Sequence, residues 1–284
     1  MKRKRNNKKT YALIIGVLAI IIVLVVALVL VGNSKNTDEA ATSPTTTAEI
    51  TTQEPTVATT VETTVETTKP EPTQIVNSKN FDFSKQVPKS KSVDNSYFND
   101  AIFIGNSRTE GFFLYTGLKG ARMYAHKGLM VNTFFTDKLF AKDGNKITML
   151  DAIKADNKFT KVYIMLGMNE LGWGYPKLFI EKYTLIIKEL KAINPNAAIY
   201  IQSILPVTEK KSKDDAIYNM GKINEFNNLL KAMATENNVY YLNVLESVSA
   251  NGGFLPEDAA YDGVHLKAPY CNKWLEYLKS HTVG

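Results

Sequence analysis

The run Ala101-Ile102-Phe103-Ile104-Gly105-Asn106-Ser107 indicates the fold of this chain, because it reads as a buried strand that ends in a polar turn. Consecutive apolar residues bounded by glycine are typical of a strand inside a parallel sheet. Further runs of strand length occur at residues 122–125, 162–166, 198–202 and 239–242, the first of them weaker than the others. The chain therefore predicts five strands.

Helical periodicity separates the last three of these runs. Apolar residues three and four apart share one helix face in each of two segments, namely Phe179, Tyr183, Ile186, Ile187 and Leu190, and then Ile223, Phe226, Leu230 and Met233. A final helix is predicted over residues 267–280. Strands that alternate with helices predict an α/β fold with a central parallel sheet and helices on both faces. Active sites of such sheets lie at the carboxyl ends of the strands.

The N-terminal 32 residues predict a membrane anchor. A basic tail over residues 1–10 precedes an uncharged apolar segment over residues 11–32, and about 20 apolar residues suffice to span a bilayer. A cleaved signal peptide is the alternative, but its apolar region is usually about 7–15 residues long and ends at a small-residue cleavage site. Since basic flanks stay in the cytoplasm, we expect a single-pass protein of the cell membrane with its N-terminus inside and its remainder outside.

Residues 33–80 predict a disordered stalk. They are rich in Thr, Glu and Pro, read TTVETTVETT over residues 59–68, and contain no aromatic residue. Such a composition has too little apolar surface to offset chain entropy. We expect a spacer between the membrane and a catalytic domain over residues 81–284, although a linker without any length requirement would have the same composition.

Charge and cysteine content narrow the class of protein. The chain has 34 Lys and Arg against 28 Asp and Glu, and six of the basic residues lie within the first nine positions, which leaves 28 against 28. The remainder has no basic stripe of the kind that binds nucleic acid, so we expect no nucleic-acid partner. Cys271 is the only cysteine, which rules out an intramolecular disulfide, and we expect it to be buried in the last helix.

Two polar motifs follow predicted strands and supply a nucleophile and a hydrogen-bond donor. Ser107 has an exposed position after the first strand, where its hydroxyl can attack and its N–H can face an oxyanion, although an N-cap serine is the alternative. Asn169, in Leu166-Gly167-Met168-Asn169-Glu170, provides a neutral amide donor or, alternatively, a simple turn residue. Glu170, Trp173 and Tyr175 follow as predicted substrate-binding residues, whose rings could stack on a sugar, pack an acyl chain or only cover the sheet edge.

Three histidines are available as a general base. His265 follows Asp262 by three residues, so the carboxylate can hold the imidazole tautomer while the other ring nitrogen reaches the serine. A loop aspartate beside an unrelated surface histidine is the alternative. We expect a structural or substrate-proximal role for His126, and we expect His281 to lie in a frayed C-terminal tail.

These motifs resemble those of the SGNH hydrolases, also called the GDSL-type esterase and lipase family, whose four blocks carry Ser, Gly, Asn and His. The resemblance covers about residues 98–278, and the matching positions are Ser107, Gly128, Asn169 and His265. It implies a flavodoxin-like three-layer α/β/α sandwich and metal-independent ester hydrolysis without a cofactor.

The resemblance also implies a role for each matching residue. Ser107 would be the nucleophile, His265 its base, and Asp262 the group that orients His265. The oxyanion would be held by the N–H groups of Ser107 and Gly128 and by the side chain of Asn169. The chain departs from the family at Asn106 and Glu170, where the family has aspartate, and neither position belongs to the implied triad or oxyanion hole.

The combined features predict an extracytoplasmic serine esterase that removes O-acyl groups, such as O-acetyl, from a cell-envelope or environmental carbohydrate. Lipase or lysophospholipase activity, acyl transfer by the same triad, and a non-catalytic carbohydrate- or wall-binding module are the alternatives. A metal-dependent deacetylase is disfavoured because three scattered histidines do not form a ligand cluster. The expected partners are an acylated carbohydrate or another ester and, through the N-terminal helix, the membrane. The oligomeric state is left open.

Overall fold

The computed structural model of the protein describes residues 80–284. The predicted basic tail over 1–10, the predicted membrane helix over 11–32 and all but the last residue of the predicted stalk over 33–80 lie outside the described residues. Within residues 80–284, none of the helices has the length and apolar character needed to cross a bilayer.

Strands and helices alternate along the described chain. The strands are β1 (Ala101–Gly105), β2 (Arg122–Ala125), β3 (Lys138–Lys142), β4 (Asn145–Thr148), β5 (Lys161–Met165), β6 (Ala198–Gln202) and β7 (Tyr240–Leu242). The α-helices are α1 (Ser107–Thr116), α2 (Met149–Ala155), α3 (Pro176–Ile193), α4 (Glu209–Asp214), α5 (Met220–Glu236) and α6 (Ala268–Lys279). All five predicted strands and the three predicted helices are confirmed, each to within about a residue where a range was predicted.

Five strands form one parallel sheet in the order β2-β1-β5-β6-β7. Ile104 of β1 is in register with Tyr124 on one side and with Ile164 on the other, so β1 lies inside the sheet. Counted along the chain, these strands have the order 2-1-3-4-5, which is the flavodoxin-like arrangement. The order reverses beside β1, and ligands of such sheets bind outside the carboxyl ends of the strands at this point.

Helices cover both faces of the sheet because successive residues of each strand point to opposite sides. Ile102 and Ile104 belong to one buried cluster, which includes the apolar faces of α3 and α5. Phe103 belongs to the other cluster, where it contacts Phe112 of α1, which in turn packs on Trp274 of α6 at a ring-centroid distance of 4.5 Å. Residues 80–284 therefore form a three-layer α/β/α structure. Cys271 of α6 is 1% exposed, as predicted, and burial raises the pKa of its thiol to about 12.

A β-hairpin and a short helix after β2 were not predicted from the sequence. β3 and β4 pair antiparallel as a hairpin, and α2 follows it directly. The turn consists of Asp143 and Gly144, both with positive φ of 50° and 78°. An Asp-Gly pair between strand-like segments is a strong hairpin signal, so the sequence did carry the information.

The C-terminal residues correct another prediction. His281 does not lie in a frayed tail, because it is 8% exposed and its ring stacks on Tyr277 of α6. Its Nδ1 atom lies 2.8 Å from the Tyr277 carbonyl oxygen. Burial lowers the pKa of His281, which favours the neutral ring at this packed position. The chain end is held in place by packing that a helix pattern does not reveal.

Candidate active site

Ser107, the predicted nucleophile, lies at the junction of β1 and α1. Asn106 is the N-cap of α1, and its side-chain oxygen accepts the N–H of Arg108 at 3.1 Å. Ser107 is the first helical residue, so its own N–H has no partner within the helix. Gly105 is required by close approach, because a Cβ atom there would lie 2.0 Å from the Thr109 hydroxyl oxygen. Asparagine at position 106 retains the capping function that the family's aspartate could also provide.

Three side chains form a continuous hydrogen-bonded relay at this point. Ser107 Oγ lies 3.0 Å from His265 Nε2, and His265 Nδ1 lies 2.7 Å from Asp262 Oδ2. Because an ionised carboxylate can only accept, the neutral ring carries its proton on Nδ1, and Nε2 is then free to accept from the serine. The structure thus brings together three residues that stand up to 158 positions apart.

The loop that carries Asp262 and His265 is a tight turn. Tyr261 N–H donates to the His265 carbonyl at 3.0 Å, which closes the turn on itself. Gly263 has a φ of 80°, and a Cβ atom there would lie 2.7 Å from Lys211 Cβ, so a larger residue would displace the loop. The turn thereby places the Asp262 carboxylate against the His265 imidazole.

Hydrogen bonds keep Asp262 ionised. Burial opposes its charge, but donation from the His265 N–H, the His265 ring and the Val264 N–H lowers its pKa to about 2. Both backbone donors reach Oδ1, at 2.8 Å from His265 and 3.0 Å from Val264. The carboxylate is therefore charged at neutral pH and can stabilise positive charge on the imidazole.

Arg108 is a buried cation beside this relay that sequence reasoning missed. It is 4% exposed and donates to the carbonyl oxygens of Leu205 at 2.6 Å and Pro206 at 3.0 Å. Burial lowers its pKa to about 10, whereas the charge of Asp262 raises it, so the guanidinium stays protonated at neutral pH. It ties the start of α1 to the loop after β6. A single arginine in a polar stretch gives no sequence signal for this role.

The two other predicted oxyanion donors belong to the loops after the neighbouring strands. Asn169 follows β5, and its side-chain N–H donates to the Leu129 carbonyl at 2.9 Å. An amide carries two N–H groups, so one remains for another acceptor. Gly128 follows β2 with a φ of 80°, and a Cβ atom added there meets nothing within 4 Å. The structure therefore brings Asn169 and the segment beginning at Gly128 into direct contact.

The predicted substrate-binding residues are not grouped at the relay. Glu170 is fully buried, and its Oε1 atom accepts the Val131 N–H at 2.7 Å, which corrects the expectation that it contacts substrate. Tyr175 is 78% exposed at the start of α3, and Trp173 is half-buried against the core on the α3 and α5 side. Neither ring lines the cleft next to Ser107.

A cleft of about 430 Å³ opens beside Ser107 and His265. Its remaining wall comes from α1, β2, the His265 loop and α6, and comprises Arg108, Glu110, Gly111, Leu114, Tyr115, Met123, Tyr261, Leu266 and Cys271. Tyr115 and Tyr261 face one another with ring centroids 6.5 Å apart. Leu114 and Tyr261 are 74% and 67% exposed, so both side chains are accessible to a ligand in the cleft. Sequence reasoning missed these residues, although Tyr261 adjoins the Asp-His motif.

The arrangement is chemically suited to nucleophilic acyl transfer. It combines a hydroxyl nucleophile, an imidazole base and an orienting carboxylate, and the loops after the neighbouring strands carry the candidate amide donors. Among residues 80–284, no group of three or more His, Cys, Asp and Glu side chains is placed to hold a metal ion.

Comparison with known proteins agrees with this reading. The profile of the GDSL-like Lipase/Acylhydrolase family matches residues 103–269, which is more than half of the 284-residue chain. No curated protein matches the chain.

Several solved structures are similar. A candidate platelet activating factor from Streptococcus pneumonia has 19% identity and a TM-score of 0.51, covering 65% of this chain and 87% of its own. A GDSL-like lipase from Bacteroides thetaiotaomicron has 16% identity and a TM-score of 0.47, covering 66% and 86%. A carbohydrate esterase family 3 protein from Talaromyces cellulolyticus has 16% identity and a TM-score of 0.43, covering 63% and 93%. At such identities the first of these supports the fold alone. The family match over the segment that carries the strands and the relay shows that the chain belongs to the GDSL-like lipase and acylhydrolase family and is a carboxylic ester hydrolase.

Proposed function

We propose that this protein is an extracytoplasmic serine esterase that removes O-acyl groups, above all O-acetyl, from a carbohydrate of the cell envelope or the environment. The observation that carries the proposal is the Ser107–His265–Asp262 relay, with distances of 3.0 Å and 2.7 Å, at the end of an open cleft with tyrosines on its wall. The family establishes that the protein hydrolyses carboxylic esters. The catalytic roles of the triad, the carbohydrate substrate and the location outside the cytoplasm are parts of the proposal.

The geometry supports a two-step mechanism. His265 Nε2 takes the proton of Ser107 Oγ as the oxygen attacks the acyl carbon, and Asp262 stabilises the imidazolium that forms. The N–H groups of Ser107 and Gly128 and the free amide N–H of Asn169 hold the oxyanion. His265 then returns its proton to the leaving alcohol, which leaves an acyl-serine. His265 then takes a proton from water as the water oxygen attacks the acyl carbon, and it returns this proton to Ser107 Oγ as the bond to the acyl group breaks and the acid leaves.

The exposure of the relay favours hydrolysis over acyl transfer. The side chains of His265 and Asp262 are 44% and 55% exposed, so water has direct access to the base. A transferase must exclude water from its acyl-enzyme to favour another acceptor. The relay would therefore pass an acyl group to water more readily than to a sugar hydroxyl.

The cleft is the proposed site of the alcohol part of the ester. His265 must protonate the leaving oxygen, and His265 lines the cleft, whereas Gly128 and Asn169 do not. Aromatic rings with polar edges stack on the apolar faces of sugars, and Tyr115 and Tyr261 provide two such rings. Glu110 on the same wall offers an acceptor for sugar hydroxyls.

A second candidate substrate is an ester of an apolar alcohol, such as a short lipid. Leu114 is 74% exposed and Met123 is 41% exposed on the same cleft, and such side chains gain from contact with an alkyl chain. The two candidates differ in the alcohol and not in the acyl group, so a matched pair of acetate esters distinguishes them.

Covalent labelling tests the proposed nucleophile directly. The full chain, purified in mild detergent, is expected to react with a fluorophosphonate and to carry the adduct on the peptide that contains Ser107, because the relay activates this hydroxyl. Mass spectrometry of the digested protein locates the adduct. The rate of acetate release from p-nitrophenyl acetate should fall in proportion to the fraction of protein that is labelled. A protein that neither labels nor releases acetate would instead be a binding module.

The same reagent tests the proposed location. The basic tail and the apolar segment over residues 11–32 support a membrane anchor, with the stalk over 33–80 and the catalytic domain over 81–284 outside the cell. A membrane-impermeant fluorophosphonate should then label the protein on intact cells as fully as on lysed cells. Labelling only after lysis would place the domain inside.

Substitution of Tyr261 tests the alcohol site. We expect Tyr261→Ala to lower kcat/KM for an O-acetylated methyl glycoside by about two- to tenfold, since an aromatic contact is worth about 0.5–1.5 kcal/mol. The rate on p-nitrophenyl acetate measures the relay independently, and that rate should change little. Tyr175→Ala is measured in parallel, because a larger loss in that variant would move the sugar to the loop after β5. A wild-type preference for hexyl acetate over the glycoside would favour the apolar alcohol.

A further inference from the structure

The carboxyl group of Glu170 is buried beneath the two loops that carry Gly128 and Asn169. Glu170 is 0% exposed, and its Oε1 atom accepts the Val131 N–H at 2.7 Å. Its Oε2 atom is buried without a hydrogen-bond partner among the described residues. A buried carboxyl group with a hydrogen bond to only one of its oxygens lowers the stability of the folded protein, so a functional role would explain its presence here.

Glu170 and its neighbour Asn169 reach the same short segment. Asn169 donates from its amide to the Leu129 carbonyl at 2.9 Å, and Glu170 accepts the N–H of Val131. Two consecutive side chains of the loop after β5 therefore hold both ends of residues 129–131. Gly128 immediately precedes this segment with a positive φ of 80°, so the direction of its N–H depends on where the segment is held.

The protonation state of Glu170 changes the strength of this contact. A hydrogen bond to a carboxylate is about twice as strong as one to a neutral carbonyl oxygen. Burial raises the pKa of Glu170 to about 7, although the N–H groups of Val131, Glu170, Gly167 and Asn169 lower it. Burial and then the nearby charge of Glu170 raise the pKa of Tyr183 of α3, whose hydroxyl donates to the Ile164 carbonyl. The ammonium of Lys222 of α5 donates to the carbonyl of Leu171, the residue after Glu170.

We propose that Glu170 is a positioning residue that assembles the oxyanion hole, holding the Gly128 segment against Asn169 when its carboxyl is ionised and loosening it when protonated. The inference rests on the proposed oxyanion roles of Gly128 and Asn169. Glu170 does not touch substrate, so its effect reaches the reaction through the direction of the donors. The oxyanion is bound most strongly in the transition state, so the effect falls on kcat rather than on KM.

Glu170→Gln provides the test, because glutamine keeps the shape and an acceptor oxygen but cannot ionise. We expect its kcat on p-nitrophenyl acetate to fall by about tenfold at pH 8, with KM unchanged. The ratio of wild-type to variant kcat should rise with pH through about 7, as Glu170 ionises only in the wild type. Both proteins contain the same three relay side chains, so a pH dependence of the relay itself cancels in this ratio. Glu181→Gln, at an exposed position on α3, is the matched control and should give a ratio independent of pH.

Thermal melting provides a readout that does not need activity. The folded-state pKa of Glu170 is raised from 4.5 to about 7, so the folded protein retains a proton that the unfolded chain releases. The wild type should therefore lose stability relative to Glu170→Gln as the pH rises from about 4.5 to 7. Glu170→Asp is a second variant, which keeps the charge but shortens the reach, and it should lower kcat without abolishing the pH dependence.

The outcomes separate this inference from the proposed function. A pH-independent ratio for Glu170→Gln, or a loss confined to KM, would overturn the positioning role while the esterase remains. A wild type without esterase activity at any pH would overturn the proposed function, and the melting curves would still report whether Glu170 titrates near neutral pH. If the melting curves show that Glu170 titrates near neutral pH and the kcat ratio does not change with pH, Glu170 is a structural residue only.

Discussion

Ser107→Ala is expected to lower kcat for acetyl-ester hydrolysis by at least about 1,000-fold, because no other group can form the acyl intermediate. Among residues 80–284 the Ser107 hydroxyl forms one hydrogen bond, to His265 Nε2 at 3.0 Å, so its loss removes little folding energy. The helix start is retained, since Asn106 provides the cap. Initial rates on p-nitrophenyl acetate and circular dichroism of the same sample measure the two effects separately.

Ser96→Ala is the matched control for this variant. Ser96 is an exposed serine in the turn before β1, away from the carboxyl ends of the strands. Its variant should have wild-type activity and should still accept the fluorophosphonate, whereas Ser107→Ala should accept none. Retention of more than about a tenth of the activity in a folded Ser107→Ala protein would remove Ser107 from the mechanism.

His265→Ala is expected to cause a loss of similar size. Members of a relay act as one unit, so the double variant with Ser107→Ala should be no slower than either single variant. In this variant the N–H groups of Val264 and of residue 265 still donate to Asp262 Oδ1, so the carboxylate stays in place and favours binding of a cation in the vacated space. Added imidazole should therefore restore part of the activity of His265→Ala, and it should restore none to Ser107→Ala.

His126→Ala is the histidine control. His126 is exposed, and its Nδ1 atom lies 2.9 Å from the carbonyl oxygen of the adjacent Lys127, so the ring has no described contact with the relay. Activity within about twofold of wild type is expected, measured on the same ester over the same pH range. A loss as large as that of His265→Ala would identify a second base at the carboxyl end of β2.

The alternation of strands and helices was predictable because burial imposes a period on each element. A strand covered on both faces has to be apolar throughout, as at 162–166, and a helix on such a sheet has to be apolar every three or four residues, as at Phe179 and Tyr183. The β3–β4 hairpin and α2 were missed because their burial is partial and their pattern is correspondingly weak. The Asp143-Gly144 turn was their clearest signal.

The three residues of the relay were predictable from sequence motifs, but the residues that surround them in space were not. Ser107 and His265 were identified from their motifs, and the structure places their side chains in contact. Trp173 and Tyr175 were chosen because they follow Asn169 in sequence, yet the rings on the cleft are Tyr115 and Tyr261. Glu170 was expected at the substrate for the same reason and is buried instead.

The parallel sheet, its two covering layers and the three loops at the carboxyl ends of the strands are predictable from local patterns, because hydrophobic period and turn chemistry act over short stretches of chain. Which side chains face one another across those loops depends on tertiary packing. The cleft wall joins α1 to the His265 loop, and the Val131 N–H joins Glu170 to the loop after β2. Such contacts depend on the packing of elements far apart in the chain, and no local pattern records them.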